Sequence, residues 1–394
     1  MMPAAVYHGP NDLRTETVPV PRIGRHELLV KVATCGVCPT DIKKIQYGTV
    51  PPPRIFGHET AGTIVQIGGR ASVPASPFRL GDRVALHHHV PCMDCHYCRH
   101  QAFAQCAQYK RTGITAGFEP AGGGFAEYVR VMPFVLGGVV KIPAKNSFEE
   151  GAMLEPVNTV LKAVNRLNLL PGDNVLVAGQ GPIGLMFTRL LQLRGINVLA
   201  TDLLETRLRL AKKFGAKWVQ LVQSPKSKVQ SPPRKETLDF GQRTLDAAIL
   251  AVPSDAALRQ AFELVRGAGQ ILLFAHTKRP ETGSKNPEVR SEKAEAAVPP
   301  SDVRHPSSDL RPPPAGLFPT DLSTICVDEK DLIGSYSADF TLQREVAHLV
   351  FSRNLDVRGL ITHRFPLEKT AEAVDLAAHP KPDSLKVLVC SGGL

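Results

Sequence analysis

Cys92, Cys95, Cys98 and Cys106, spaced by two, two and seven residues, are the densest concentration of chemistry in the sequence. Four thiolates so close together can complete a tetrahedral shell around one Zn2+ and leave no open coordination position, as in structural zinc sites. Binding energy of such a metal is folding energy for a loop with few apolar residues of its own. An iron–sulfur cluster is the rival reading of the spacing. Nothing nearby calls for electron transfer, so zinc is expected. His87, His88, His89, His96 and His100 crowd the same stretch. With four sulfurs sufficing, they read as strand and loop residues.

A second motif is Gly179-Gln180-Gly181-Pro182-Ile183-Gly184. A lone GxGxxG carries little information, but this one follows the strand-like NVLVAG and opens the helical PIGLMFTRLLQLRG. A second strand, NVLAT, then ends at Asp202, near the acidic position of a dinucleotide-binding βαβ unit. Gly179 permits the tight turn, Gly181 lets a pyrophosphate approach the backbone, and Gly184 lets helix and strand pack closely. Pro182 and Ile183 open the helix, whose N-terminus offers unpaired N–H groups and partial positive charge to phosphate. Asp202 would accept hydrogen bonds from both ribose hydroxyls and repel a 2′-phosphate, favouring NAD over NADP, a preference softened by Arg207 and Arg209. A helix-capping Asp after a sharp βα turn is the blander alternative.

These motifs lie on two kinds of sequence. From Val6 to about Val140, short β-like runs such as ELLVKVATCG, AGTIVQIGG and GFAEYVRVM are broken by Gly and Pro, which predicts a mostly β domain. Beyond Leu154, strands alternate with amphipathic helices such as LETRLRLAKKFGA and DAALRQAFELVRG, which predicts a doubly wound parallel sheet. The fold class is therefore α/β. DLIGSYS reads as a last strand of that sheet and SLKVLVC as a final strand of the chain. Two polar, Pro-rich stretches interrupt the pattern, at 224–236 and about 278–314. The longer has almost no aliphatic residues and is expected to be a disordered surface insertion.

Length and composition agree. The 394 residues suit two domains, and 43% hydrophobic with 21% charged residues is ordinary for a globular protein. No apolar run reaches the roughly 18 residues of a membrane helix, so no membrane partner is expected. The N-terminus, MMPAAVYHGPNDLRTE, lacks the apolar stretch of a secretion signal, and a cytoplasmic protein is expected. A formal net charge of +10 raises nucleic acid as a partner, but Lys and Arg form no basic stripe, and no nucleic acid is expected.

The four-cysteine run, CGVCPTD, GHE, LEP and the GxGxxG unit occur in the order found in zinc-dependent medium-chain dehydrogenases. Nearly the whole chain, apart from the two insertions, resembles this superfamily. It looks more like the sorbitol and threonine dehydrogenase branch than the liver-type alcohol dehydrogenases. The resemblance implies a GroES-like catalytic domain over 1–155 and 338–394, with a zinc lobe at about 90–110, and a Rossmann NAD-binding domain over 156–337. It implies two Zn2+ per chain, one catalytic and one structural, with NAD(H) as cofactor. A homo-oligomer, dimer or tetramer, follows from the same source.

The resemblance also assigns residues. Cys38 corresponds to the first catalytic ligand, with Thr40 and Asp41 behind it and Cys35 a neighbouring structural thiol. His58 of GHE corresponds to the second ligand and Glu155 of LEP to the third. Glu59 is either a fourth ligand or a group the metal can recruit. Thr40 is implied as the acceptor of the alcohol proton. Where the family's relay often ends in His, this chain has Lys43. Where polyol members carry a cation, SYSAD has Ser337 after Tyr336. The expected activity is hydride transfer between NAD and a hydroxylated secondary alcohol: a polyol, an aminocyclitol or a β-hydroxy amino acid. A zinc-free quinone or enoyl reductase on the same scaffold, and a non-catalytic NAD-sensing protein, are the rival expectations.

Overall fold

A computed structural model of the chain describes residues 1–69, 77–87, 89–111, 122–222, 244–275 and 322–391. Both Pro-rich stretches, together with His88, lie outside the described residues.

Six strands form a parallel sheet. In chain order they are β9 (Asn174–Ala178), β10 (Asn197–Asp202), β11 (Trp218–Leu221), β12 (Leu245–Leu250), β13 (Val265–Leu273) and β14 (Asp331–Gly334), the numbering continuing from eight earlier strands given below. Their spatial order is β11-β10-β9-β12-β13-β14, and every neighbouring pair is parallel. Counted from β9, this is the order 3-2-1-4-5-6 of a dinucleotide-binding sheet. Successive side chains on a strand face opposite ways, and both faces are covered here. Val175 and Val177 of β9 enter a core shared with the helices Leu154–Val164, Pro182–Leu193 and Gln343–Phe351, while Leu176 and Ala178 join the core under Asp255–Leu264. Burial on both faces explains why NVLVA is continuously apolar, not alternating.

The remaining strands build the β lobe: β1 (Met2–Gly9), β2 (Asp12–Val18), β3 (Leu28–Gly36), β4 (Arg54–Ile55), β5 (Glu59–Ile67), β6 (Arg83–Leu86), β7 (Tyr128–Val131) and β8 (Val140–Lys141), then β15 (Ile361–Pro366) and β16 (Lys386–Cys390). A seven-stranded sheet runs β15-β16-β3-β5-β6-β8 with β7 also on β3, and a three-stranded sheet runs β2-β1-β4. The last strand returns to the first half of the chain, pairing Val389 with Cys35 antiparallel. β3 and β5 pair antiparallel, with Gly36 opposite Glu59. The end of β3 and the start of β5 therefore lie side by side, bringing Cys38 and His58 to one place. A Cβ at Gly36 would strike the Glu59 carboxylate, so the residue opposite Glu59 must lack a side chain.

Among the described residues no helix is long and apolar enough to cross a membrane.

Candidate metal and dinucleotide sites

Cys38 is the N-cap of the helix Pro39–Tyr47, which Pro39 starts in the position that suits its fixed φ. The Thr40 N–H donates to the Cys38 sulfur at 3.4 Å. One turn of this helix places Asp41 fully buried with its Oδ1 3.0 Å from His58 Nδ1. That contact fixes the proton on Nδ1 and leaves the other ring nitrogen toward Cys38, the arrangement in which a carboxylate orients a metal-binding imidazole. Burial alone would raise the Asp41 carboxyl, but the charge and hydrogen bond of His58 outweigh it and hold it below the usual range.

Donor atoms of Cys38, His58 and Glu59 all lie within 4.8 Å of one another. Thiolate, imidazole and carboxylate at that spacing suit Zn2+. Glu155 stands outside this tight set, yet faces the same charges. It occupies the first turn of Leu154–Val164 and is buried. Burial pushes its carboxyl up to about 7, reinforced by Glu59 and Asp41 and opposed by His58 and Lys386. A metal cation there would hold it ionised. Lys43 is half-buried on the same helix as Thr40, while the neighbouring Lys44 is the cation that acts on Asp41.

The sequence reading missed Lys386. Its ammonium is buried, pairs with Glu59 Oε2 and donates to the Val37 carbonyl at 3.0 Å. The signal was a Lys at the start of an otherwise apolar strand, KVLVC.

The four cysteines of the other site converge as their spacing requires. Sulfur separations are 3.8 Å for Cys92–Cys98, 3.5 Å for Cys95–Cys98 and 3.7 Å for Cys92–Cys106. Four sulfurs at about 2.3 Å from a tetrahedral Zn2+ would be separated by about 3.8 Å. Backbone N–H groups point at the same sulfurs: Cys92 N–H donates to Cys106 at 3.5 Å and Cys95 N–H to Cys92 at 3.3 Å. N–H groups of Asp94 and Cys95 bring the Cys92 thiol down to about 6, which favours the metal-binding thiolate.

The three glycines of the dinucleotide motif have separate surroundings. Gly179 has φ +90°, a left-handed conformation that L side chains rarely adopt. A Cβ at Gly184 would run into the Gly179 carbonyl. A Cβ at Gly181 would meet nothing within 4 Å. Gly181 caps the twelve-residue helix Pro182–Leu193 with no side-chain hydrogen bond, so its first N–H groups are available to an anion. Asp202 accepts from the Gln180 N–H at 2.6 Å and the Leu204 N–H at 2.9 Å, with Arg207 Nη1 4.0 Å away. The carboxylate thus fastens the turn, and its remaining lone pairs can still receive ribose hydroxyls.

Comparison with known proteins identifies the family. Residues 24–144 match the family model described as alcohol dehydrogenase GroES-like domain, and residues 182–294 match that described as zinc-binding dehydrogenase. A sorbitol dehydrogenase of Bombyx mori is 30% identical over 380 residues, covering 95% of this chain and 94% of that protein. A sorbitol dehydrogenase of Bacillus subtilis (strain 168) is 28% identical, covering 98% and 97%. The solved structure of 2R,3R-butanediol dehydrogenase from Bacillus subtilis shares the fold, with a TM-score of 0.76 over 100% of both chains at 23% identity.

Proposed function

The chain belongs to the zinc-binding alcohol dehydrogenases with a GroES-like domain, in their sorbitol-dehydrogenase-like branch, and from that premise we propose that it oxidises a polyol or vicinal diol at a secondary carbon with NAD+. It is an NAD-dependent alcohol dehydrogenase that uses zinc. The catalytic zinc is assigned to Cys38, His58 and Glu155, with Glu59 beside them, and the structural zinc to Cys92, Cys95, Cys98 and Cys106. The catalytic lobe is taken as 1–155 and 338–394 and the nucleotide lobe as 156–337. The observation that carries the reading is the convergence of the Cys38, His58 and Glu59 donors next to the buried carboxyl of Glu155.

When bound, zinc supplies Lewis-acid polarisation of the alcohol oxygen, and NAD+ supplies the hydride acceptor. The chain's own residues do the rest. Asp41 holds His58 in one orientation. The Thr40 hydroxyl, two residues beyond Cys38, takes the proton of the alcohol. Lys43, three residues on and so on the same helix face, accepts it after its own ammonium has released a proton to solvent. Gly181 and the helix start at Pro182 and Ile183 receive the pyrophosphate; Asp202 holds the adenosine ribose and favours NAD over its 2′-phosphorylated form, a preference that Arg207 beside it softens.

Metal content tests this assignment. Two zincs per chain in the wild type and one in Cys38→Ala, with loss of NAD-dependent oxidation of diols, is the expected result. One zinc in both proteins would overturn it.

A further inference from the structure

The polypeptide crosses between the two lobes twice, once through the helix Leu154–Val164 into β9 and once from β14 through residues 335–342 into the helix Gln343–Phe351. The two crossings share an apolar core, Val157, Val160 and Leu161 of the first helix with Val346 and Val350 of the second. A polar contact joins them as well, centred on Asn158, which is fully buried. The Asp339 N–H donates to Asn158 Oδ1 at 2.8 Å, and Asn158 Nδ2 donates to the Asp339 carbonyl at 2.9 Å and to Gln343 Oε1 at 3.1 Å. One side-chain amide thus satisfies both backbone groups of a residue that belongs to no strand. Lys162, one turn on along the same face, donates to the Tyr336 carbonyl at 2.9 Å, and Arg166 donates to the Gly334 carbonyl.

The gripped segment holds two unfavourable features. Ser337 has φ 61°, in the left-handed region that L side chains rarely adopt. The Ser335 hydroxyl is buried and has no hydrogen-bond partner among the described residues, a costly state for a polar group. Such features persist only where surrounding contacts over-determine the backbone, and they gather at ligand clamps. The location fits a ligand. The segment starts at the carboxyl end of β14, the last strand of the half-sheet β12-β13-β14. A dinucleotide lies outside the carboxyl ends of the strands, with one mononucleotide to each half. With Asp202 of β10 taking the adenosine ribose, the half that ends in β14 receives the nicotinamide. The helix that grips this segment also carries Glu155, three residues before Asn158 and so on the same face.

We propose that Asn158 is a positioning residue for hydride transfer: by tying residues 335–339 to the helix of Glu155, it holds the nicotinamide half of the cofactor site and an assigned zinc ligand as one body. Ordering that the segment gains from the cofactor passes through this amide to the first turns of the helix, and Glu155 keeps a fixed offset from the nicotinamide. This rests on the dehydrogenase reading above.

The test is amide hydrogen exchange on the zinc-loaded full chain with and without NADH. In the wild type NADH is expected to slow exchange by about threefold or more over both 335–343 and 154–161. In Asn158→Ala the slowing should remain over 335–343 and vanish from 154–161. Lys162→Met removes one grip from a half-buried side chain, so the variant should fold, and the slowing over 154–161 should weaken. Oxidation of a vicinal diol by Asn158→Ala should lose roughly tenfold in kcat, since small misplacements of reacting groups are costly, with KM for the diol and two zincs per chain retained. A merely structural role would not confine the change to one of the two regions. Slowing over 154–161 that is the same in both variants as in the wild type, or absent from the wild type with NADH bound, overturns the inference and leaves the dehydrogenase reading intact. A wild type that binds no NADH overturns both.

Discussion

Lys386, from the last strand, neutralises the carboxylate of Glu59 at the start of β5, and both groups are almost wholly out of water. Removing one partner of a buried pair costs about 3–5 kcal/mol, because the other charge is left without compensation. Metal-free Lys386→Met is therefore expected to unfold at lower urea by about that free energy. Zinc should recover part of the loss, since a second cation then stands near Glu59. An unchanged urea midpoint in the metal-free variant would show that the pair carries no such weight.

The second and third glycines of the dinucleotide motif should fail differently. Gly181→Ala adds a methyl where nothing lies within 4 Å, so the fold should persist while NADH affinity falls by at least tenfold, or about 1.4 kcal/mol. Gly184→Ala drives its methyl into the Gly179 carbonyl, so the variant should lose stability as well. Calorimetric NADH titration and thermal melts on both would separate the cases; equal melting losses in both would contradict this.

Glu150 accepts from Asn146 at 2.9 Å, from the Ser147 N–H at 2.8 Å and from Arg353 at 3.0 Å. Burial opposes ionisation, but these donors prevail and hold the carboxyl below its usual range. A carboxyl so shifted stabilises the fold above its unfolded pKa of about 4.3, and the contribution disappears as pH falls through the lower, folded value. Glu150→Gln should therefore be less stable than wild type by about 1–2 kcal/mol at pH 7, and the gap should narrow as pH falls below about 4.3. A gap that stays constant across that window would refute the linkage.

Cys98→Ser opens the four-sulfur shell. One zinc per chain should be lost while the Cys38-dependent zinc stays, the complement of Cys38→Ala. Since the metal supplies folding energy to this lobe, limited proteolysis should then cut between Cys92 and Cys106. Two zincs in the purified variant would speak against a structural site.

Much of this was legible along the chain because it is local. The spacing of the four zinc-lobe cysteines is confined to one short stretch, and the βαβ unit around Gly179–Gly184 announces itself through a continuous apolar strand followed by helical periodicity. β11 was not read as a strand: it is a short edge strand, only partly buried, so its apolar signal is weak. The catalytic donors needed the family resemblance, because Cys38, His58 and Glu155 sit on three separate segments and no periodicity links them. Lys386 was invisible for the same reason in stronger form: its partner Glu59 comes from the opposite end of the chain, and only the folded arrangement shows the pairing.

Because β16 pairs with β3, the order of biosynthesis matters to the site. A ribosome adding about 5–20 residues per second delivers Cys38, His58 and Glu59 long before it reaches Lys386. For on the order of half a minute the emerging polypeptide holds a cluster of metal-seeking side chains whose countercharge has not yet been made. A chain stopped short of Lys386 carries every assigned zinc ligand and lacks the ammonium that pairs with Glu59, so translation to the final strand is a condition for the finished centre.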